Sequence, residues 1–231
     1  MYYKIAGLFV EMNPIYEPLI NQVDEYKIDY IPEVIDCDIP QGEKQILRYH
    51  GKHPELTIGE CEYLLYGAFF YDTLLDHQGI FLHASCVVYE GNAYLFSAPS
   101  GTGKSTHTQN WLKAFPGAFI LNDDKPAIRI EDNIIYAYGT PFSGKTNQNI
   151  NSRYPIKGIA FLERDSKNFI YELSIKDAIP KFLSQTMLPH NEKRIDQMVK
   201  ILSEILFNVP IYEFKLNMDL ESAQVAYKKM S

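Results

Sequence analysis

Leu95-Phe96-Ser97-Ala98-Pro99-Ser100-Gly101-Thr102-Gly103-Lys104-Ser105-Thr106 is the stretch on which the reading of this 231-residue chain turns. An apolar strand runs into a glycine-bearing loop, and a helix begins near Lys104. That order suits the cradling of nucleotide phosphates. Gly101 and Gly103 let successive backbone N–H groups curl around phosphate oxygens, Lys104 reaches the outer phosphates, and Ser105 offers a hydroxyl to Mg²⁺. The helix N-terminus adds its positive end. Residues Ser100, Gly101, Thr102, Gly103, Lys104, Ser105 and Thr106 are therefore expected to hold ATP. Ala98 departs from the usual pattern, which has glycine six residues before the lysine; an alanine fits there if its φ is negative.

The composition narrows what surrounds the loop. A net charge of −7 and a pI near 5.4 argue against a nucleic-acid surface, which needs clustered Lys and Arg. With 46% hydrophobic residues the chain has material for a substantial core and does not resemble a disordered segment. Cys37, Cys61 and Cys86 are widely spaced and odd in number, and Met1-Tyr2-Tyr3-Lys4 lacks the pattern of a signal peptide, so reduced thiols and a cytoplasmic location are expected. No apolar run reaches the roughly 18 residues of a membrane span. His50-Gly51-Lys52-His53 reads as a polar turn rather than a metal site.

Residues 1–55 are expected to form an extension of strands and turns, with strand formers at 2–11 and turns near Gln41-Gly42, packed on a nucleotide-binding domain over 56–231. Cys61, Leu64, Leu65, Ala68, Phe69 and Leu74 recur at helical spacing, and Thr57 with Glu60 three residues on is a capping box. Ile80–Tyr89 reads as one strand, Gly91-Asn92 as a tight turn, and Ala93–Ser97 as the strand that carries the loop. Antiparallel pairing beside the loop separates this chain from NTPases that reach theirs through parallel βαβ units, so a mixed sheet of α/β type, with α+β character, is expected. A strand at Ala118–Leu121 leads to Asn122-Asp123-Asp124, and a second hairpin spans Ala127–Tyr138. Lys157–Glu163, Phe169–Leu173 and Pro210–Leu216 read as strands, Ile175–Leu188 and Glu192–Leu206 as helices, and Asp219 or Glu221 opens a last one.

Phosphoryl transfer needs a carboxylate on the metal and a group that positions or deprotonates the acceptor. Asp123 and Asp124 supply both, provided the strand has turned by then, since neighbours on an extended strand face opposite ways. Either order is open from the residues; the working assignment makes Asp123 the base and puts Asp124 with Ser105 on Mg²⁺. His83, polar on an apolar strand next to the loop strand, and Lys145 in Ser143-Gly144-Lys145 complete the catalytic set, with Arg153 and Arg164 as other cations for a transferred phosphate. His107 and Trp111, four apart on the loop helix, share a face and are expected to pack.

The order His83-Ala84, Ala98 to Thr106, Asp123-Asp124 resembles the catalytic domain of HPr kinase/phosphorylase, whose fold is that of phosphoenolpyruvate carboxykinase. The resemblance spans residues 78–165. It implies ATP at the phosphate loop, a histidine beside it, and aspartates serving as base and metal ligand in phosphorylation of a serine hydroxyl. Lys125 stands where these kinases tend to carry arginine, so the small stand-alone members, kinases of peptides or of free serine, are nearer than kinases of HPr. The expected function is an ATP- and Mg²⁺-dependent kinase of a serine-type hydroxyl on a protein, peptide or small molecule, in a protein able to self-assemble. The alternatives are a nucleotide-binding module without transfer and a carboxykinase-like or phosphatase reaction in the same fold.

Overall fold

A computed structural model of the protein describes residues 1–40 and 42–231, so the Gln41 half of the expected Gln41-Gly42 turn lies outside the described residues. The chain opens with β1 (Tyr2–Ile5) and β2 (Leu8–Glu11), which pair across Ala6-Gly7. After the short helix α1 (Leu19–Gln22), β3 (Cys37–Asp38) joins β2 in parallel. Helices α2 (Glu43–His50) and α3 (Ile58–Leu74) follow, and the Thr57–Glu60 capping box closes the start of α3: Thr57 N donates to Glu60 Oε2 at 2.8 Å and Glu60 N to Thr57 Oγ1 at 3.2 Å.

Beyond α3 the chain runs through β4 (Gly79–Phe81), β5 (Ala84–Tyr89), β6 (Asn92–Ser97), α4 (Lys104–Ala114), β7 (Phe119–Asn122), β8 (Ala127–Glu131) and β9 (Ile134–Tyr138). It ends with β10 (Arg153–Arg164), β11 (Phe169–Glu172), α5 (Ile175–Leu183), α6 (Glu192–Asn208), β12 (Ile211–Leu216) and α7 (Glu221–Met230). The large sheet has nine strands, ordered β4-β8-β9-β10-β6-β5-β7, with β12 and then β11 attached to β10. It is mixed: β6 pairs antiparallel with β5 and parallel with β10, which is also parallel to β12. The fold is therefore mixed α/β.

Alternation along the central strands explains why helices cover both faces. Cys86 and Val88 of β5, Leu95 of β6 and Ile159 and Phe161 of β10 pack with Phe182 of α5 and Ile201 and Ile205 of α6. Their neighbours Val87, Tyr94, Phe96, Ala160 and Leu162 face the other way, onto Trp111 of α4 and Ala223 and Ala226 of α7. Strands buried on both sides need near-continuous apolar sequence, which these have. A third cluster joins Tyr3, Ile5, Val10 and Tyr26 to Tyr66 and Phe70 of α3 and to Phe142, so residues 1–40 share a core with α3 and the segment after β9.

Several sequence expectations change. On α3, Leu64, Ala68 and Phe69 of the expected packed face are exposed, and Tyr63, Tyr66 and Phe70 pack instead. The strand read as Ile80–Tyr89 divides at Leu82-His83, because the chain changes partner there: Phe81 lies opposite Ala127 of β8, while Ala84 lies opposite Ser97 of β6. The hairpin turns on Glu90 and Gly91, with φ of 49° and 76°, and Asn92 already sits opposite Tyr89 in the ladder. Two central residues at positive φ match the twist of a tight hairpin. The helix from Ile175 ends at Leu183 rather than Leu188, since Gln185 and Thr186 leave it to bond the β4–β5 break: His83 N donates to Gln185 O at 2.7 Å and Thr186 Oγ1 to Phe81 O at 2.6 Å.

Candidate active site

The parallel strands β6, β10 and β12 all direct their carboxyl ends to one place, as open α/β sheets do around ligands. β6 delivers the 98–103 loop, β10 ends at Arg164, and the turn after β12 lays Met218 over Gly103. Gly101 and Gly103 have φ of 79° and 117°, the left-handed region that glycine enters freely. A Cβ on Gly103 would sit 2.5 Å from Met218 Cε, so that position is restricted in two ways. Ala98 is buried at negative φ, the condition under which an alanine fits there. Its carbonyl accepts a bond from the Lys104 ammonium at 2.7 Å. Burial lowers the Lys104 pKa, with Asp124 and Asp123 acting in the opposite sense.

The end of β7 turns, which is the condition for both acids to face one side. Asn122 Oδ1 accepts from Asp124 N at 3.0 Å and Lys125 N at 2.8 Å, while its Nδ2 donates to Thr140 O at 2.8 Å. This side-chain-closed turn ends the strand, and both acids reach the same cavity. Asp123, 6% exposed, takes a bond from Ser85 Oγ at 2.6 Å on Oδ1 and from Ser105 Oγ at 3.0 Å on Oδ2. Asp124 faces His83 instead, with Oδ1 3.1 Å from His83 Nε2 and Oδ2 paired to Lys125. Burial would raise the Asp124 pKa, but the His83 bond and the Lys125 charge overcome it and hold it at about 2. His83 is itself fixed from behind by Gln185 Oε1, 3.1 Å from Nδ1.

These groups open onto a cavity of about 1070 Å³. Ser100, Gly101, Gly103, Lys104, Ser105 and Thr106 line it, together with His83, Asp123, Asp124 and Lys145. Thr102 instead lines a shallower recess on the outer side of the loop, with Pro99, Leu162 and Arg164. Arg164 donates to the carbonyls of Thr102 at 2.9 Å and Gly101 at 3.0 Å, bracing the loop from its edge. Arg153 pairs with Glu131 and lies over the Tyr136 ring at 4.5 Å, and it does not line the cavity. His107 and Trp111 are fully buried, Trp111 Nε1 donating to His107 Nε2 at 3.1 Å, and burial pushes the imidazole down to about 3. They are core residues of the helix that follows the loop.

Several wall residues had no sequence signal as site residues. Glu17, Pro18 and Gln22 reach the cavity from the N-terminal segment, and Glu60 and Tyr63 from α3. Ser85 could have been found as the one hydroxyl two positions from His83 in an otherwise apolar run. The oxygen donors Ser105 and Asp123 suit Mg²⁺, which takes few protein ligands and completes its shell with phosphate and water. The working assignment put Asp124 with Ser105 on Mg²⁺; the side chain that Ser105 bonds is Asp123. The described cysteines are buried and free, and His53 pairs with Glu55 and stacks on Tyr49, centroids 4.4 Å apart. No helix among the described residues is long and apolar enough to cross a membrane.

No protein-family model and no curated protein matches the sequence. Among solved structures, the HPr(Ser) kinase/phosphatase from Coxiella burnetii is similar over 64% of this chain and 95% of its own, with 13% sequence identity and a TM-score of 0.38.

Proposed function

We propose that the protein is an ATP-dependent kinase that phosphorylates a serine-type hydroxyl. The observation that carries this reading is the division of labour between adjacent acids: Asp123 bonds the loop hydroxyl of Ser105, and Asp124 bonds His83, both on the cavity that the phosphate loop lines. Ser105 and Asp123 are the pair that would hold Mg²⁺, which when bound offsets the charge on the transferring phosphoryl group. Lys104 exchanges its bond to Ala98 O for the outer phosphates. Asp124, oriented by His83, receives the proton of the acceptor hydroxyl as that oxygen bonds to the γ-phosphorus and the bond to the leaving ADP oxygen breaks. The depressed pKa of Asp124 makes it a weak base, which suits a loose transition state that asks more for positioning than for proton abstraction.

The test is transfer of label from γ-labelled ATP to hydroxyl acceptors in the presence and absence of Mg²⁺. Transfer that depends on Mg²⁺ and falls by about 10²-fold or more in Asp124→Asn is expected. ATP binding with no transfer to any acceptor would instead identify a nucleotide-binding module. Lys104→Ala should weaken nucleotide binding under either reading, so it does not separate them.

A further inference from the structure

His83 falls between two strands and has no ladder of its own to hold it. Phe81 pairs with Ala127 of β8 and Ala84 with Ser97 of β6, so the residue that meets Asp124 lies in the change-over. Its anchors are hydrogen bonds outside the ladder. His83 N donates to Gln185 O at 2.7 Å, and Ser97 Oγ donates to His83 O at 2.8 Å. The Gln185 side chain adds a third hold, with Oε1 3.1 Å from Nδ1. A half-buried residue just past α5 thus grips both the backbone and the ring of His83 across 102 positions of sequence.

The sense of the ring bond follows from the donors behind it. Ser184 Oγ donates to Lys181 O at 2.7 Å. A hydroxyl has one hydrogen, so toward Gln185 Nε2, 3.4 Å away, Ser184 accepts. The amide nitrogen of Gln185 therefore faces Ser184 and its oxygen faces His83. An amide oxygen only accepts, so His83 Nδ1 carries a hydrogen. With Nδ1 held in this way, the Nε2 edge stays on Asp124 Oδ1 at 3.1 Å. A half-turn of the ring about its Cβ–Cγ bond would set carbon atoms against both oxygens and lose both bonds.

We infer that Gln185 is a positioning residue for the transfer reaction, acting through His83 to set the orientation of the Asp124 carboxylate. The inference rests on the kinase reading and adds a residue to it. Gln185 does not line the cavity, so it acts without touching nucleotide or acceptor. The bond between Ser105 and Asp123 is not part of this chain of contacts. The influence of Gln185 therefore falls on the chemical step and not on nucleotide binding.

Initial rates with γ-labelled ATP and Mg²⁺, with L-serine and a serine-containing peptide as acceptors, test it in wild type, Gln185→Leu, Gln185→Glu, His83→Ala and the Gln185→Leu/His83→Ala double variant. Gln185→Leu should lower kcat roughly tenfold or more and leave the ATP KM unchanged, since the placement of a reacting group is what is lost. Gln185→Glu keeps an acceptor opposite Nδ1 and should retain most of the rate. In the His83→Ala background Gln185→Leu should cost nothing further, the non-additivity of residues that act as one unit. The ring gives a second readout. In protein labelled with ¹⁵N-histidine, the His83 Nδ1 resonance, assigned by its loss in His83→Ala, should move in Gln185→Leu and hold in Gln185→Glu. Should Gln185→Leu fail to fold, Gln185→Met, of similar length and with only a weak acceptor, takes its place in every comparison. An unchanged kcat, an equal loss with and without His83, or an unmoved Nδ1 resonance overturns the inference and leaves the kinase reading standing. ATP binding without transfer to either acceptor overturns both.

Discussion

Asp123 and Asp124 differ by one position and occupy different chemical environments. Hydroxyls of Ser85 and Ser105 surround the first; a histidine ring and a lysine flank the second. Asp123→Asn should therefore raise the Mg²⁺ concentration needed for half-maximal activity, and Asp124→Asn should lower kcat with little change in that concentration. Titrating Mg²⁺ against initial rate distinguishes them, and the opposite pattern would exchange the two roles. Asp124 also makes stability depend on pH. Its folded-state pKa, about 2, lies below the ordinary 3.8, so its contribution is present above about pH 4 and is lost as pH falls through about 2. The depression corresponds to about 2 kcal/mol. The gap in unfolding free energy between wild type and Asp124→Asn, from denaturant titrations, should narrow over that range; a constant gap would remove the charge pairing as its cause.

At the scale of elements, helix α3 gives the sharpest case, because propensity and contact predict opposite signs at Gly59. Alanine in a helix is favoured over glycine by about 0.8–1 kcal/mol. The Cβ would nevertheless meet Glu17 O, and such overpacking costs about 1–3 kcal/mol. Gly59→Ala is expected to lower the denaturation midpoint; a stabilised variant would show that the segment simply moves aside. Local signals made most elements readable in the sequence. The Thr57–Glu60 box, the Ala127–Tyr138 hairpin, whose turn residues Asp132 and Asn133 have φ of 50° and 63°, and the strand–loop–helix around Lys104 all depend on neighbours within a few positions. The division at His83 was not readable, because an apolar run does not record a change of pairing partner. The hairpin turn was misplaced by one because Glu90, a residue with a Cβ, takes the positive φ that composition assigned to Asn92.

For the molecule as a whole, ligand binding and stability are linked. Mg²⁺–ATP at about 100 times its Kd should add about 2.7 kcal/mol, or roughly 5–11 °C in Tm for a chain of this size. Lys104→Ala at the same nucleotide concentration should show little of that rise in a thermal melt; an equal rise would place the nucleotide elsewhere. The glycine-loop end of the cavity was legible because a loop and a helix terminus adjacent in sequence build it, and Asp123-Asp124 lies a single strand further on. The opposite wall was not. Gln22 meets Gly144 and Tyr26 meets Asn149 across more than 120 positions, and nothing local to Glu17 or Gln22 marks them. The N-terminal segment earlier described only as strands and turns reaches the cavity through the core it shares with α3 and Phe142.

Arg164 turns the Gly101 and Thr102 carbonyls toward itself. In a planar trans peptide the C=O and the following N–H point in opposite directions, so holding the Thr102 oxygen outward aims the Gly103 hydrogen inward. The Arg164 guanidinium, which also lines the cavity, thereby sets the polarity of the Thr102–Gly103 peptide. An anion entering the cavity would find the Gly103 amide already oriented, while the Thr102 N–H stays on Pro99 O at 3.3 Å.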